Sequence, residues 1–93
     1  MEQEIRRNAD AHRYELVIDG EVVGVADYVD DGSVVVLPHT EIASSRRGGG
    51  LGAVLVKGVL DDMRAQGRTV VPTCWFVREY IADHPEEVDL LAT

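Results

Sequence analysis

The stretch Arg46-Arg47-Gly48-Gly49-Gly50-Leu51-Gly52-Ala53 joins an arginine pair and three glycines directly to an apolar helical pattern. At such a loop-to-helix junction successive backbone N–H groups converge, and the positive end of the helix dipole adds attraction for an anion. Glycine at Gly48, Gly50 and Gly52 lets the backbone approach that anion with no side chain between, while Arg46 or Arg47 supplies charge-assisted contacts. From Ile42 to Leu60 the chain holds Arg46, Arg47 and Lys57 and no acid, in a protein of formal net charge −8. A basic island in so acidic a chain points to one specific anionic ligand, with phosphate as its natural handle. Outside the loop, His39 is a candidate base because its ordinary pKa lies near neutral, and Glu41 is the alternative.

Other glycine-rich phosphate motifs fit less well. Gly48, Gly50 and Ala53 match G-x-G-x-x-A, yet no acidic residue ends the next strand about 20 residues on, and 93 residues are too few for the complete dinucleotide fold. A P-loop fails because no Lys-Ser or Lys-Thr follows the last glycine. Residues 46–53 taken alone also read as a flexible surface loop that binds nothing.

Length and composition bound the rest. A chain of 93 residues with 45% hydrophobic content is expected to form a single domain over residues 1–93. Cys74, the lone cysteine, has no partner for an intramolecular disulfide, and Met1 precedes a polar segment without an apolar leader, so a reducing, cytoplasmic setting is expected. No apolar run is long enough to cross a bilayer, and a pI near 4.6 argues against nucleic acid. The expectation is therefore no membrane, no nucleic acid and no metal.

The elements that must position these residues change character midway. Tyr14, Leu16 and Ile18 alternate with Arg13, Glu15 and Val17, Asp19-Gly20 reads as a hairpin turn, and Val23, Val25 and Val29 continue in a second strand. A turn at Asp30-Asp31-Gly32 leads into a strand over 33–42, whose Val34-Val35-Val36-Leu37 run predicts burial on both faces. A short strand near Glu4 to Asn8 precedes this meander. After the glycines, Leu51, Val54, Leu55, Val59, Leu60 and Met63 recur at helical spacing up to a C-cap at Gly67. Thr69 to Thr73 reads as a short strand, Phe76 to His84 as a helix stopped by Pro85, and Glu86 to Thr93 as an acidic tail.

This order of elements, with these residues, resembles the GCN5-related N-acetyltransferases, and specifically their small single-domain YjdJ-type members. The family's signature is Gln or Arg, two residues, Gly, one residue, then Gly or Ala, and Arg47-Gly48-Gly49-Gly50-Leu51-Gly52 satisfies every fixed position. Further matches flank it: His39-Thr40-Glu41, Pro72-Thr73-Cys74-Trp75-Phe76-Val77, Tyr80-Ile81 and His84-Pro85-Glu86. The resemblance implies an α/β fold of the α+β kind: a mixed, mostly antiparallel sheet with a splayed parallel strand pair and two C-terminal helices. It implies that acetyl-CoA lies in the splay, its pyrophosphate on the glycine loop. On this basis the cofactor-binding residues are Ile42, Ala43, Arg46, Arg47, Gly48, Gly49, Gly50, Leu51, Gly52, Ala53, Cys74, Phe76 and Tyr80.

The expected activity is transfer of the acetyl group to a primary amine, on a basic peptide, a protein lysine or a polyamine. A coenzyme A or acyl-CoA binding module is the alternative. The small-family motif places Cys74 near the thioester, as a transient nucleophile or as a packing element of the channel. Tyr80 matches a tyrosine whose hydroxyl protonates the departing thiolate, against a reading as a core aromatic. His84 reads as a helix-end residue. Glu79, Asp83, Glu86, Glu87 and Asp89 have no Lys or Arg beyond Arg78 to oppose them, which favours a cationic acceptor. Gly49, Trp75 and Glu87 depart from the family pattern, two of them close to Cys74 and the loop.

Overall fold

The computed structural model describes residues 2–92. Strands β1 (Gln3–Asn8), β2 (Arg13–Ile18), β3 (Glu21–Asp31), β4 (Val34–Ile42) and β5 (Thr69–Pro72) form one sheet in sequence order. The first four make an antiparallel meander, and β5 lies parallel to β4. A parallel neighbour requires a crossover, and helix α1 (Leu51–Ala65) provides it. Helix α2 (Trp75–Asp83) follows β5, and a 3-10 segment, Pro85–Leu90, follows α2.

The apolar stripe of α1, Leu55, Val56, Val59, Leu60 and Met63, is buried against Tyr14, Leu16, Ile18, Ala26, Val35, Leu37 and Val70 of the sheet. Its end is a Schellman motif: Gly67 takes φ 68°, and the Arg68 N–H reaches the Met63 carbonyl at 2.9 Å. Asp19 and Gly20 turn the β2–β3 hairpin with φ of 50° and 84°.

Several expectations need correction. β4 is buried on one face only: Val35 and Leu37 are buried, whereas Val34 and Val36 are part-buried. The core cluster lies on one side of the sheet, and the other side is covered by long polar side chains. There the Glu15 carboxylate accepts bonds from Arg6 (2.9 Å), Asn8 (3.1 Å) and Arg13 (2.9 Å). The core side of β3 is Val23, Ala26 and Tyr28 rather than Val23, Val25 and Val29. A bulge that leaves Val23 unpaired reverses the alternation, and Val29 ends up 54% exposed. The β3–β4 turn falls at Gly32 and Ser33, later than expected, and α2 begins at Trp75 and ends at Asp83.

The acidic tail is also more structured than its composition implies. Glu87 and Leu90 are buried, and the Ala92 N–H donates to the Val70 carbonyl at 2.9 Å, covering the outer edge of β5. Arg64 of α1 makes this possible by pairing with Glu87 (2.9 Å) and Asp89 (2.7 Å). Those two acids are thus opposed by a cation after all, one that precedes them in sequence.

Candidate functional site

The parallel pairing of β4 and β5 ends at Leu37 and Pro72. The Cys74 N–H still reaches the Leu37 carbonyl at 3.1 Å, and beyond that bond the chains diverge. Opposite β3, Tyr28 faces both Leu37 and Pro38 between the pairs Val29–Val36 and Asp27–His39, so β4 carries a bulge at the point of parting. Pro38 has no N–H to continue the ladder. From there to Ile42 only the β3 edge of β4 is paired with a strand, and the other edge has no strand partner, its Ile42 carbonyl accepting from Arg47.

The space beside that edge is a groove holding two adjoining cavities that share part of their lining. The inner part, about 250 Å3, is lined by His39, Thr40, Ile42, Gly52, Cys74, Trp75 and Phe76. The outer part is lined by Ile42, Arg46, Arg47, Gly48, Gly50, Leu51, Gly52, Ala53 and Phe76. Ile42, Gly52 and Phe76 belong to both. Gly52 lets Phe76 close the wall, since a Cβ there would stand 2.8 Å from Phe76 Cζ.

At the outer end, Gly48 and Gly50 adopt φ of 87° and 78°, conformations that favour glycine, and Gly50 is the N-cap of α1. No side chain caps the helix, so the N–H groups of Leu51, Gly52 and Ala53 lack acceptors within the helix. A Cβ added at Gly48 or Gly50 would meet nothing within 4 Å. Uncapped donors, open space and the dipole of a helix of 15 residues are a cradle that fits a pyrophosphate. Arg47 Nε donates to the Ile42 carbonyl at 3.1 Å, and Arg46 sits 3.4 Å from Glu21. Lys57 is committed to Asp61 at 2.9 Å and does not line the groove.

The site residues expected from sequence divide unevenly. Cys74 is 9% exposed on the inner wall, with Sγ 3.9 Å from the Thr40 hydroxyl. His39 lines the same cavity, its Nε2 3.1 Å from a Glu41 carboxylate oxygen. Ala43 and Gly49 do not line the groove; the Ala43 N–H ties the start of the loop to Val23 at 2.8 Å. Tyr80 is also absent from the lining. Its ring is buried and stacked on His84 at 3.9 Å, while His84 Nδ1 lies 2.7 Å from the Tyr80 carbonyl oxygen. Burial pushes the Tyr80 hydroxyl pKa up, and the Glu87 charge adds to the shift. Two wall residues escaped the sequence reading as site members. Thr40 shares the helix-facing side of β4 with Ile42, which alternation back from Ile42 signals; Trp75 carried no signal beyond its departure from the family pattern.

A mixed five-stranded sheet whose parallel pair parts beside a glycine-rich helix start is an α/β architecture like that of the GCN5-related N-acetyltransferases. The family model described as GCN5-related N-acetyl-transferase matches residues 13–90, and the chain belongs to that family. The protein NATD1 of human and of chicken is 33% identical over 52 residues, 56% of this chain. The match spans about half the length of these curated relatives. Among solved structures, a GCN5-like protein from Staphylococcus aureus superimposes with TM-score 0.72 at 18% identity, covering 96% of this chain and 87% of that one. The Escherichia coli family member YhbS, solved in complex with CoA, gives TM-score 0.57 at 25% identity over 64% of this chain and 38% of its own.

Proposed function

We propose that the protein transfers an acetyl group from acetyl-CoA to a primary amine on a cationic acceptor. The observation that carries this is the pair of adjoining cavities, sharing Ile42, Gly52 and Phe76, that run from the uncapped start of α1 to the gap between β4 and β5, with Cys74 and His39 on the inner wall. Bound acetyl-CoA supplies an activated acyl carbon: the acceptor nitrogen bonds to it, the C–S bond breaks, and the amine proton and the thiolate must both be served. Leu51, Gly52 and Ala53 hold the phosphates through their free N–H groups. The open edge of β4 offers backbone partners to the amides of the pantetheine arm, and Phe76 and Ile42 exclude water beside it. His39, steadied by Glu41, is positioned to take the amine proton.

In this reading Cys74 is a wall of the channel and transfer is direct. Its thiol is buried at the N-cap of α2 with the Thr40 hydroxyl 3.9 Å away, and among the described residues no hydrogen bond joins it to a histidine, lysine or arginine that could act as its base. CoA in the YhbS structure supports the cofactor assignment by analogy. A basic peptide, a protein lysine and a polyamine are the acceptor classes, and a cytoplasmic location, where acetyl-CoA is available, accompanies the proposal. Placement of Tyr80 outside the groove lining favours, as a second reading, a coenzyme A binding module without turnover. Thiol release from acetyl-CoA on adding a basic peptide, with acetyl gain on the peptide by mass, supports transfer. Tight acetyl-CoA binding with no thiol release across small amines and basic peptides selects the module.

A further inference from the structure

We propose that Trp75 is the recognition platform for the acceptor, and that it takes a flexible basic peptide laid along the exposed edge of α2. This rests on the acetyl-transfer reading in one respect, that the inner cavity is where amine and thioester meet. Trp75 lines that cavity and is nonetheless 67% exposed, the most exposed large hydrophobic side chain among the described residues. Its indole stands edge-on to Phe76, with centroids 5.9 Å apart and planes at 84°, so one neighbour fixes it while much of the ring faces solvent. An exposed indole at the rim of a reaction cavity offers its face to a cation.

Charge selects the occupant. Glu79 and Asp83 follow Trp75 by one and two turns, about 6 and 12 Å along the axis, and both are exposed. Arg78, the one basic residue of α2, turns back to the Thr73 carbonyl at 3.2 Å. Glu87 and Asp89 are paired with Arg64 and Glu41 with His39, whereas Glu79 and Asp83 have no ion-pair partner among the described residues. The anionic half of coenzyme A is repelled from this edge and drawn to Arg46 and Arg47 at the other end of the groove. An acceptor that seats its amine in the cavity therefore extends over Trp75 with further cationic side chains reaching Glu79 and Asp83.

Trp75 is the only tryptophan, so its emission reports the contact directly. The protein with coenzyme A is titrated with a lysine peptide flanked by arginines, with an equal-length peptide carrying glutamines in place of the arginines, and with spermidine. A saturable emission shift with the basic peptide is expected in the wild type; by calorimetry, which needs no indole, affinity should be about tenfold weaker in Trp75→Ala and mostly retained in Trp75→Phe. Glu79→Gln with Asp83→Asn should weaken the peptide about fivefold and leave coenzyme A affinity unchanged. The proposal is overturned if the basic peptide leaves the emission unmoved or the glutamine peptide moves it equally. It is also overturned if only spermidine moves it, or if coenzyme A alone produces the whole shift. Peptide binding at Trp75 without acetyl transfer would refute the catalytic reading and leave this one standing; transfer that is indifferent to Trp75→Ala would do the reverse.

Discussion

The Cys74 N–H donates to the Leu37 carbonyl across 3.1 Å, and this bond is the hinge line of the groove. On one side of it β4 and β5 are zipped in parallel register from Val34–Thr69 to Leu37–Pro72. On the other, the bulge at Leu37–Pro38 and the turn into α2 carry the two chains apart. Two prolines mark the same level, Pro38 in β4 and Pro72 at the end of β5, and each removes a donor that could have extended the ladder.

Because the Cys74 thiol meets the Thr40 hydroxyl and no basic side chain bonds it among the described residues, direct transfer makes a definite prediction. Cys74→Ala should keep acetyl transfer within about fivefold of wild type, and no acetyl-enzyme should appear by intact mass when acetyl-CoA is supplied alone. Quantitative acetylation of Cys74 that is then passed to an added amine would establish a covalent relay instead.

Close packing of α1 on β1 predicts the effect of filling Gly58. A Cβ there would stand 2.6 Å from Ile5 Cγ1 and 3.1 Å from Ile5 Cβ, contacts that rotation of the side chain alone does not relieve. Alanine gains about 1 kcal/mol of helix propensity, yet overpacking of this kind costs about 1–3 kcal/mol, so Gly58→Ala should be neutral to destabilising by about 2 kcal/mol in denaturant unfolding. A clear gain in stability would show that β1 yields freely.

How much of this was legible beforehand follows from how local each signal is. The Asp19-Gly20 turn, the period of α1 and the Gly67 cap are written in adjacent residues, and the sequence placed them closely. The glycine loop was legible because the positive φ at Gly48 and Gly50 favours glycine itself. The one-residue bulge at Val23 was not, since it depends on pairing with β2, and it sent Val29 to the surface. Burial of Glu87 depends on Arg64, 23 positions earlier, and no local pattern predicts it. The exclusion of Tyr80 from the groove lining follows from its place in the core cluster, where its ring stacks on His84; which face of α2 the core takes is a tertiary fact.

The Arg64 cluster is predicted to hold the C-terminal segment on the sheet. Arg64→Ala leaves the buried Glu87 carboxylate with only Lys57, at 4.0 Å, and frees Asp89. The melting temperature should fall by several degrees, and amide exchange should rise first at Val70 and Ala92, whose pairing covers β5. Unchanged exchange there would show that Leu90 packing alone anchors the segment.

Acid should attack the opposite face of the sheet. Bonds from Arg6, Asn8 and Arg13 hold the Glu15 carboxyl down, from its ordinary 4.5 to about 2. A depressed folded-state pKa contributes stability that is full above pH 4.5 and is lost as pH falls toward 2. In Glu15→Gln, stability at neutral pH should drop and the slope of stability against pH in that window should flatten. An unaltered slope would assign the acid transition to other carboxyls.

Gly49 gives the most direct test of the central claim, that the glycine loop seats the pyrophosphate of acetyl-CoA. Gly49 itself does not line the groove but stands between Gly48 and Gly50, which do; its φ is not positive and a Cβ there meets nothing closer than the Arg46 carbonyl oxygen at 3.8 Å, so Gly49→Glu keeps the fold while adding a carboxylate beside the cradle. Calorimetric titration of acetyl-CoA should give measurable affinity for the wild type and a loss of at least about tenfold for Gly49→Glu, with unchanged thermal unfolding. Equal affinities in the two folded proteins would contradict the account.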